Sequence, residues 1–347
     1  MAQAQRVEFI DLLKGMTIFF VIIFHLTYFH SGTYEVRRFI TPFFMQLFFF
    51  LSGMFFSTKG SFKDFMLNKL NRIIIPLLFF YFLNYFLGFI ASNILGLGKG
   101  RVDVLTWHSL LDLFNGKEFF TFGSAMWFLI CLLIINILYY FIAKAGAAWL
   151  SLAISFALTL TGFVLYVYTI DLPYFIDSAF SMILFFSLGT ILKKRDFFVQ
   201  KNKFDALYLI IGLCLYLALI LTRNVEAIVM KNTFTGNFAD IIAGGILGSF
   251  AMYMVSKVIY KVKFINFYGV NSLIVLCTHQ LVIVLYAMIL KKFFAYNGFI
   301  MLGMNLVLTL ITEYFIILFF NYFTPAFVGK KDLIKRKPKN QVVADIK

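Results

Sequence analysis

The sequence predicts an all-α, polytopic membrane bundle of about ten transmembrane helices, and three observations predict it. Of the 347 residues, 62% are hydrophobic and 14% charged, with a mean hydropathy of +0.90, which lies outside the range of water-soluble domains. Apolar runs of about 20 residues recur, the length a helix needs to cross ~30 Å of hydrocarbon. Short polar breaks separate the runs, and in lipid a helix satisfies its backbone polar groups within the run itself.

The runs fall at 14–31, 41–57, 73–96, 124–142, 148–169, 174–192, 204–222, 238–259, 266–289 and 298–322. The first follows an amino terminus holding Glu8 and Asp11, with no small-residue cleavage site behind the apolar stretch, so the span is expected to remain in place. A basic segment, Lys59 to Arg72, divides the second run from the third. The break between the fourth and fifth is the least distinct. No soluble block is long enough to fold alone, so 1–330 reads as a single transmembrane domain and 331–347 as a basic tail. No inverted or tandem repeat is evident, which counts against transporter folds built from duplicated halves.

Orientation follows from Lys and Arg, which gather in cytoplasmic loops. With the amino terminus inside, most of them fall on one side, in Lys59 to Arg72, Lys193 to Lys203, Lys257 to Lys263 and Lys330 to Lys347. Both termini are therefore expected in the cytoplasm, and the plasma membrane of a bacterium is the expected location. The net charge of +15 reads as topogenic signal and affinity for anionic headgroups, and not as a nucleic-acid footprint. The longest external loop, Gly98 to Gly123, carries a helical apolar pattern with Trp107 as an interface anchor, and is expected to lie along the outer surface. Cys131, Cys214 and Cys277 stand singly in apolar runs, as packing residues and not as a metal or redox motif.

Titratable groups at membrane depth are costly and so mark candidate sites. The first run has three. Lys14 and His25 are eleven residues apart, which at 100° per residue separates them by only about 20° around the helix. Asp11, one turn before Lys14, faces the same way. His25 then lies about 16 Å deeper than Lys14, which stays at the mouth. An imidazole can take a proton from a hydroxyl and a cation can hold a phosphate. The same spacing also suits a His25 bonded to a neighbouring helix and a Lys14 that snorkels to the interface. Glu313 in the last run is expected to face the bundle interior and meet a basic group. His30 and His108 fall near the outer surface, where solvated histidines are ordinary. The five-residue offset turns His30 away from His25, so no metal is expected.

Five strings then carry a resemblance. RVEFIDLLKGMTIFFVIIFH (6–25), FFFLSGM (48–54), KLNRIIIPLLFFY (69–81), AMWFLICLL around Trp127 and YGVNSLIVLCTHQ (268–280) resemble, in order, signatures of the acyltransferase-3 family of membrane sugar O-acyltransferases. Lys14 stands where many members have Arg, a point charge in place of a planar fork. The Asp11-x-x-Lys14-Gly15 form resembles the fucose O-acetylase-like subgroup.

The resemblance implies transfer of an acyl group, usually acetyl from cytoplasmic acetyl-CoA, to a hydroxyl of a cell-surface or lipid-linked carbohydrate. It implies His25 as the catalytic residue, either as general base or as a transiently acylated nucleophile, with Asp11 orienting Lys14. Lys14, Arg72 and Lys69 would hold coenzyme A phosphates. Trp127 and His279 would serve the acceptor side, and His279 is also placed to assist proton transfer; Glu313, outside the matched strings, is a further acceptor-side candidate on its cost of burial alone. No cofactor beyond acetyl-CoA as donor is expected; membrane lipid and a homo-oligomer are the remaining candidate partners. A transporter or flippase for a glycan or small solute, using the buried His and Glu as a proton relay, is the alternative. An idle scaffold would tolerate His25→Ala.

Overall fold

The computed structural model describes residues 8–94, 106, 108–116, 121–193, 202–294 and 298–335. Trp107, much of the 98–123 loop, most of the Lys193–Lys203 segment and the tail beyond 335 lie outside the described residues. The chain is helical almost throughout. Among the described residues nine helices are long and apolar enough to cross a membrane.

In chain order, α1 is Glu8–Phe29, α2 is Tyr34–Ile40 and α3 is Phe44–Met54. Next, α4 (Phe62–Lys69) and α5 (Ile75–Phe89) form one rod through a π-helical turn at Leu70–Ile74. A four-residue helix, α6 (Asp112–Asn115), precedes α7 (Trp127–Lys144), α8 (Ala148–Val167) and α9 (Ile176–Leu192). The remainder is α10 (Asp205–Thr222), α11 (Phe238–Ile259), α12 (Lys263–Val270), α13 (Ser272–Phe293) and α14 (Gly298–Phe323). A hairpin of β1 (Glu226–Ile228) and β2 (Thr233–Thr235), pairing Ala227 with Phe234, interrupts the α10–α11 connection.

The second expected span, 41–57, is corrected. Its helix α3 has 11 residues, about 16 Å at 1.5 Å each, roughly half the ~30 Å hydrocarbon. Pro42 has no backbone N–H to extend α2, and Phe43 departs from helical geometry at φ −138°. Nine of the 11 residues are buried, so α3 is walled by protein and need not face lipid over a full crossing.

Two glycine crossings fix the helices that carry the site. A Cβ on Gly15 of α1 would meet the Ile265 carbonyl of α12, and one on Gly269 of α12 would meet the Asp11 carbonyl of α1. Likewise Gly53 of α3 abuts the Phe186 carbonyl, and Gly189 of α9 abuts the Phe50 carbonyl. Helices approach this closely only where small residues face each other. In α4–α5, Pro76 cannot donate to the Arg72 carbonyl four residues back. The ladder shifts to the wider spacing, with the Ile75 N–H bonding Leu70, and Arg72 sits in that π turn.

Two further placements were hidden in the sequence. Lys257, part of an expected topogenic loop, is buried on α11 and pairs with Asp205 of α10 at 2.9 Å. Cys214 is exposed on the outward face of α10, whereas Cys131 and Cys277 are buried.

Candidate functional site

The stripe on α1 ends in two chambers. At the far end from the amino terminus, His25 lines a cavity of about 240 Å3 together with Tyr28, Phe44, Met45, Trp127, Phe128, Gln280 and the 227–231 turn of the hairpin. The hairpin roofs this chamber and is tied down by neighbours. The Arg37 guanidinium pairs with Glu226 at 3.1 Å, and the Ser178 hydroxyl donates to the Val229 carbonyl at 2.7 Å. Asn232 donates to the Gly162 carbonyl at 2.9 Å and accepts from Ser181 at 2.6 Å.

Gln280 organises the polar wall. The Ala125 N–H donates to its Oε1 at 2.7 Å, which fixes which end of the amide is oxygen. Its Nε2 therefore points the other way, donating to Ser124 Oγ at 2.6 Å and to His25 Nδ1 at 3.2 Å. Ser124 and Ala125 lie in the single 3-10 turn Thr121–Met126 that leads into α7. Behind His25 stands His279, fully buried, with ring centroids 5.0 Å apart. Its Nδ1 lies 2.7 Å from the Val275 carbonyl one turn earlier, while its Nε2 is buried without a hydrogen-bond partner among the described residues.

The second chamber opens nearer the amino-terminal end of α1. It measures about 210 Å3 and is lined by Lys14, Arg72, Ser52, Phe55 and Ser272, among others. The Lys14 ammonium rests 3.9 Å from the Phe55 ring centroid and 4.0 Å from the Asp11 carboxylate. Arg72 donates to the Gly329 carbonyl and pairs with Asp332 at 2.9 Å. The segment after α14 thus folds back across the mouth, held also by Asn71, which accepts from the Leu333 N–H at 2.9 Å. Phe128 and Leu276 line both chambers and form the partition between them. The short helix α3 reaches both, with Phe44 and Met45 at one end and Leu51 and Ser52 towards the other.

The expected residues divide accordingly. Named by their place along α1, the chamber farther from the amino terminus, here the outer one, is lined by His25 and Trp127, and the nearer, inner one by Lys14 and Arg72. Asp11 accompanies Lys14 and is remote from His25. Lys69 lines neither chamber: its ammonium sits over the Phe65 ring at 5.0 Å. His279 is behind the wall of the cavity, not on it. Glu313 is fully buried and receives the Thr278 hydroxyl at 2.8 and 3.0 Å. Among the described residues no basic group pairs with it, and it lines neither chamber. His30, expected to be solvated, is fully buried because α14 covers it, with Asn305 Nδ2 3.2 Å from its Nε2. His108 is exposed as expected. Gln280 and Ser124 went unnoticed in the sequence, since neither carries charge; adjacency to His279 was the one available signal.

Among the described residues no three His, Cys, Asp or Glu side chains gather as a metal site would require. The arrangement suits an imidazole acting on a small neutral group in the outer chamber, and two cations holding an anion in the inner one. No curated protein and no solved structure matches the chain. Among protein-family models, residues 7–328 match the one for the acyltransferase domain of the acyltransferase-3 family. With nearly its whole length inside that match and its polar stripe opening into paired chambers, this chain belongs to the acyltransferase-3 family and is a membrane acyltransferase.

Proposed function

We propose that the protein moves an acyl group, acetyl in the first instance, from cytoplasmic acyl-CoA to a hydroxyl of a cell-surface or lipid-linked carbohydrate. The observation that carries this reading is the pair of chambers back to back, one with an imidazole and the other with two cations, sharing Phe128 and Leu276. Lys14 and Arg72 hold the donor's phosphates at the inner mouth. The thioester at the end of the extended pantetheine arm crosses the partition, over the ~16 Å of helix between Lys14 and His25.

His25 accepts the proton of the acceptor hydroxyl as its oxygen attacks the thioester carbonyl. The C–S bond breaks, and the thiolate leaves and is protonated, giving an ester and free coenzyme A. Transient acylation of His25 would divide the same transfer into two steps. The Asp11-x-x-Lys14-Gly15 form supports a place beside the fucose O-acetylase-like members.

The cytoplasmic side is assigned to the inner chamber from the basic residues around it. Lys193 bonds the Phe56 carbonyl, Lys261 pairs with Glu8, and Lys69 stands over Phe65. Cations crowd cytoplasmic ends, which supports cytoplasmic termini and a bacterial plasma membrane.

The test is transfer from labelled acetyl-CoA by purified protein in lipid. His25→Ala is expected to lower turnover by at least about 100-fold, within the range of general acid–base catalysis, with donor binding retained. Lys14→Ala is expected to weaken donor binding by about tenfold, the scale of one charge-assisted contact. Absence of donor binding in the native protein would overturn the reading in favour of solute transport.

A further inference from the structure

We infer that His279 is a second imidazole of the reaction centre, taking the proton from the far nitrogen of His25, and that Gln280 is the positioning residue that sets the His25 tautomer. The inference rests on the acyl-transfer reading of the outer chamber.

The hydrogen-bond geometry assigns every nitrogen. The Ala125 N–H occupies Gln280 Oε1, so Gln280 can present only N–H to His25. His25 Nδ1 is therefore an acceptor, and the neutral ring carries its proton on Nε2. His279 has the opposite tautomer. A carbonyl can only accept, so the 2.7 Å contact with Val275 places the proton on Nδ1 and leaves a lone pair on Nε2.

That lone pair is fully buried and, among the described residues, unpartnered. Leaving a buried polar atom unpaired is costly, so its place beside His25 calls for a role. The two rings are in contact, at 5.0 Å between centroids and 55° between planes. One ring offers a donor and the other an empty acceptor, and the relay requires a ring movement that brings the two Nε2 atoms within hydrogen-bond reach.

The proton bookkeeping then closes. The acceptor hydroxyl displaces the long Gln280 contact and gives its proton to His25 Nδ1. His25 passes its Nε2 proton to His279 Nε2, so the positive charge comes to rest on the buried partner and His25 is neutral again. When the thiolate leaves, the proton returns by the same two rings and ends on sulfur. If His25 is itself acylated on Nδ1, His279 removes the Nε2 proton of the acylimidazolium in the same way.

Three measurements test this. Histidine labelled with 15N in the lipid-embedded protein reports tautomers whether or not turnover occurs. The expected result is His25 protonated on Nε2 and His279 on Nδ1, with the His25 assignment lost in Gln280→Ala. Finding His25 protonated on Nδ1 in the native protein overturns the inference. His279→Asn keeps a side-chain N–H for the Val275 carbonyl but has no basic nitrogen. It is expected to lower kcat by 10- to 100-fold with donor KM unchanged. A proton inventory in mixed light and heavy water should change from curved, two protons in flight, to linear. Native kcat in His279→Asn overturns the relay, as does a kcat loss with the inventory still curved. Should His25→Ala also keep full turnover, it is the acyl-transfer reading of the chamber that fails; loss in His25→Ala beside native behaviour in His279→Asn removes the relay alone.

Discussion

The two chambers solve opposite electrostatic problems. The inner one places Lys14 and Arg72 beside a mouth where side chains keep partial exposure, and their ion pairs are replaceable: long, at 4.0 Å, for Lys14 with Asp11, and close but part-exposed, at 2.9 Å, for Arg72 with Asp332. Such pairs are worth about 0–1 kcal/mol, so an incoming phosphate can replace them. The outer chamber is held in another way. His25, Gln280, Ser124 and the Ala125 N–H form a chain of neutral hydrogen bonds in which each group's role is fixed by the next. Exchangeable ion pairs suit binding and release, whereas preorganised neutral bonds suit chemistry.

If the partition between them is the passage for the thioester, filling it should produce the largest effect. Phe128→Trp is expected to lower transfer by on the order of 100-fold, the scale of a misplaced reacting group, while equilibrium binding of acetyl-CoA is kept. A smaller change should follow at the inner mouth. Arg72→Ala is expected to raise donor KM about tenfold with kcat little altered, as for one charged hydrogen-bonding group lost from ground and transition states alike. Arg72→Lys should restore only part of this, since Lys cannot make the paired contact.

Asp332 competes with the donor for Arg72, so Asp332→Asn is expected to lower donor KM by about two- to fivefold, in line with a surface pair of under 1 kcal/mol. A raised KM would instead make Asp332 a support for Arg72. The smallest effect is expected at Lys69, whose ammonium is on the Phe65 face and outside both chambers. Lys69→Gln should leave donor KM within about twofold, since the contact it loses is with the Phe65 ring and touches no donor group. A tenfold rise would extend the phosphate site to Lys69. Each comparison is read as initial rates against acetyl-CoA concentration in the same lipid.

Local sequence determined the helices, because span length and hydropathy are properties of a run of neighbours and lipid leaves the backbone no other choice. Nine of the expected spans stand as long helices, and the burial of nine of the 11 α3 residues explains how the remaining run closes with so short a helix. Local sequence also determined that Asp11, Lys14 and His25 share one face, since helical periodicity is fixed by the backbone.

Only the tertiary structure decided which groups meet. Lys14 and Lys69 look equivalent as cations near a helix end, yet one lines a chamber and the other covers a ring. His30 reads as a solvated surface histidine and His279 as an acceptor-side residue, whereas packing buried the first against Asn305 and set the second behind His25. Gln280, Ser124 and Ala125 converge from α13 and the turn before α7, more than 150 residues apart in sequence. Hydrogen bonds between uncharged side chains leave no periodic or compositional trace, because their energy depends on distances that only the crossing of helices at Gly15, Gly269, Gly53 and Gly189 can set.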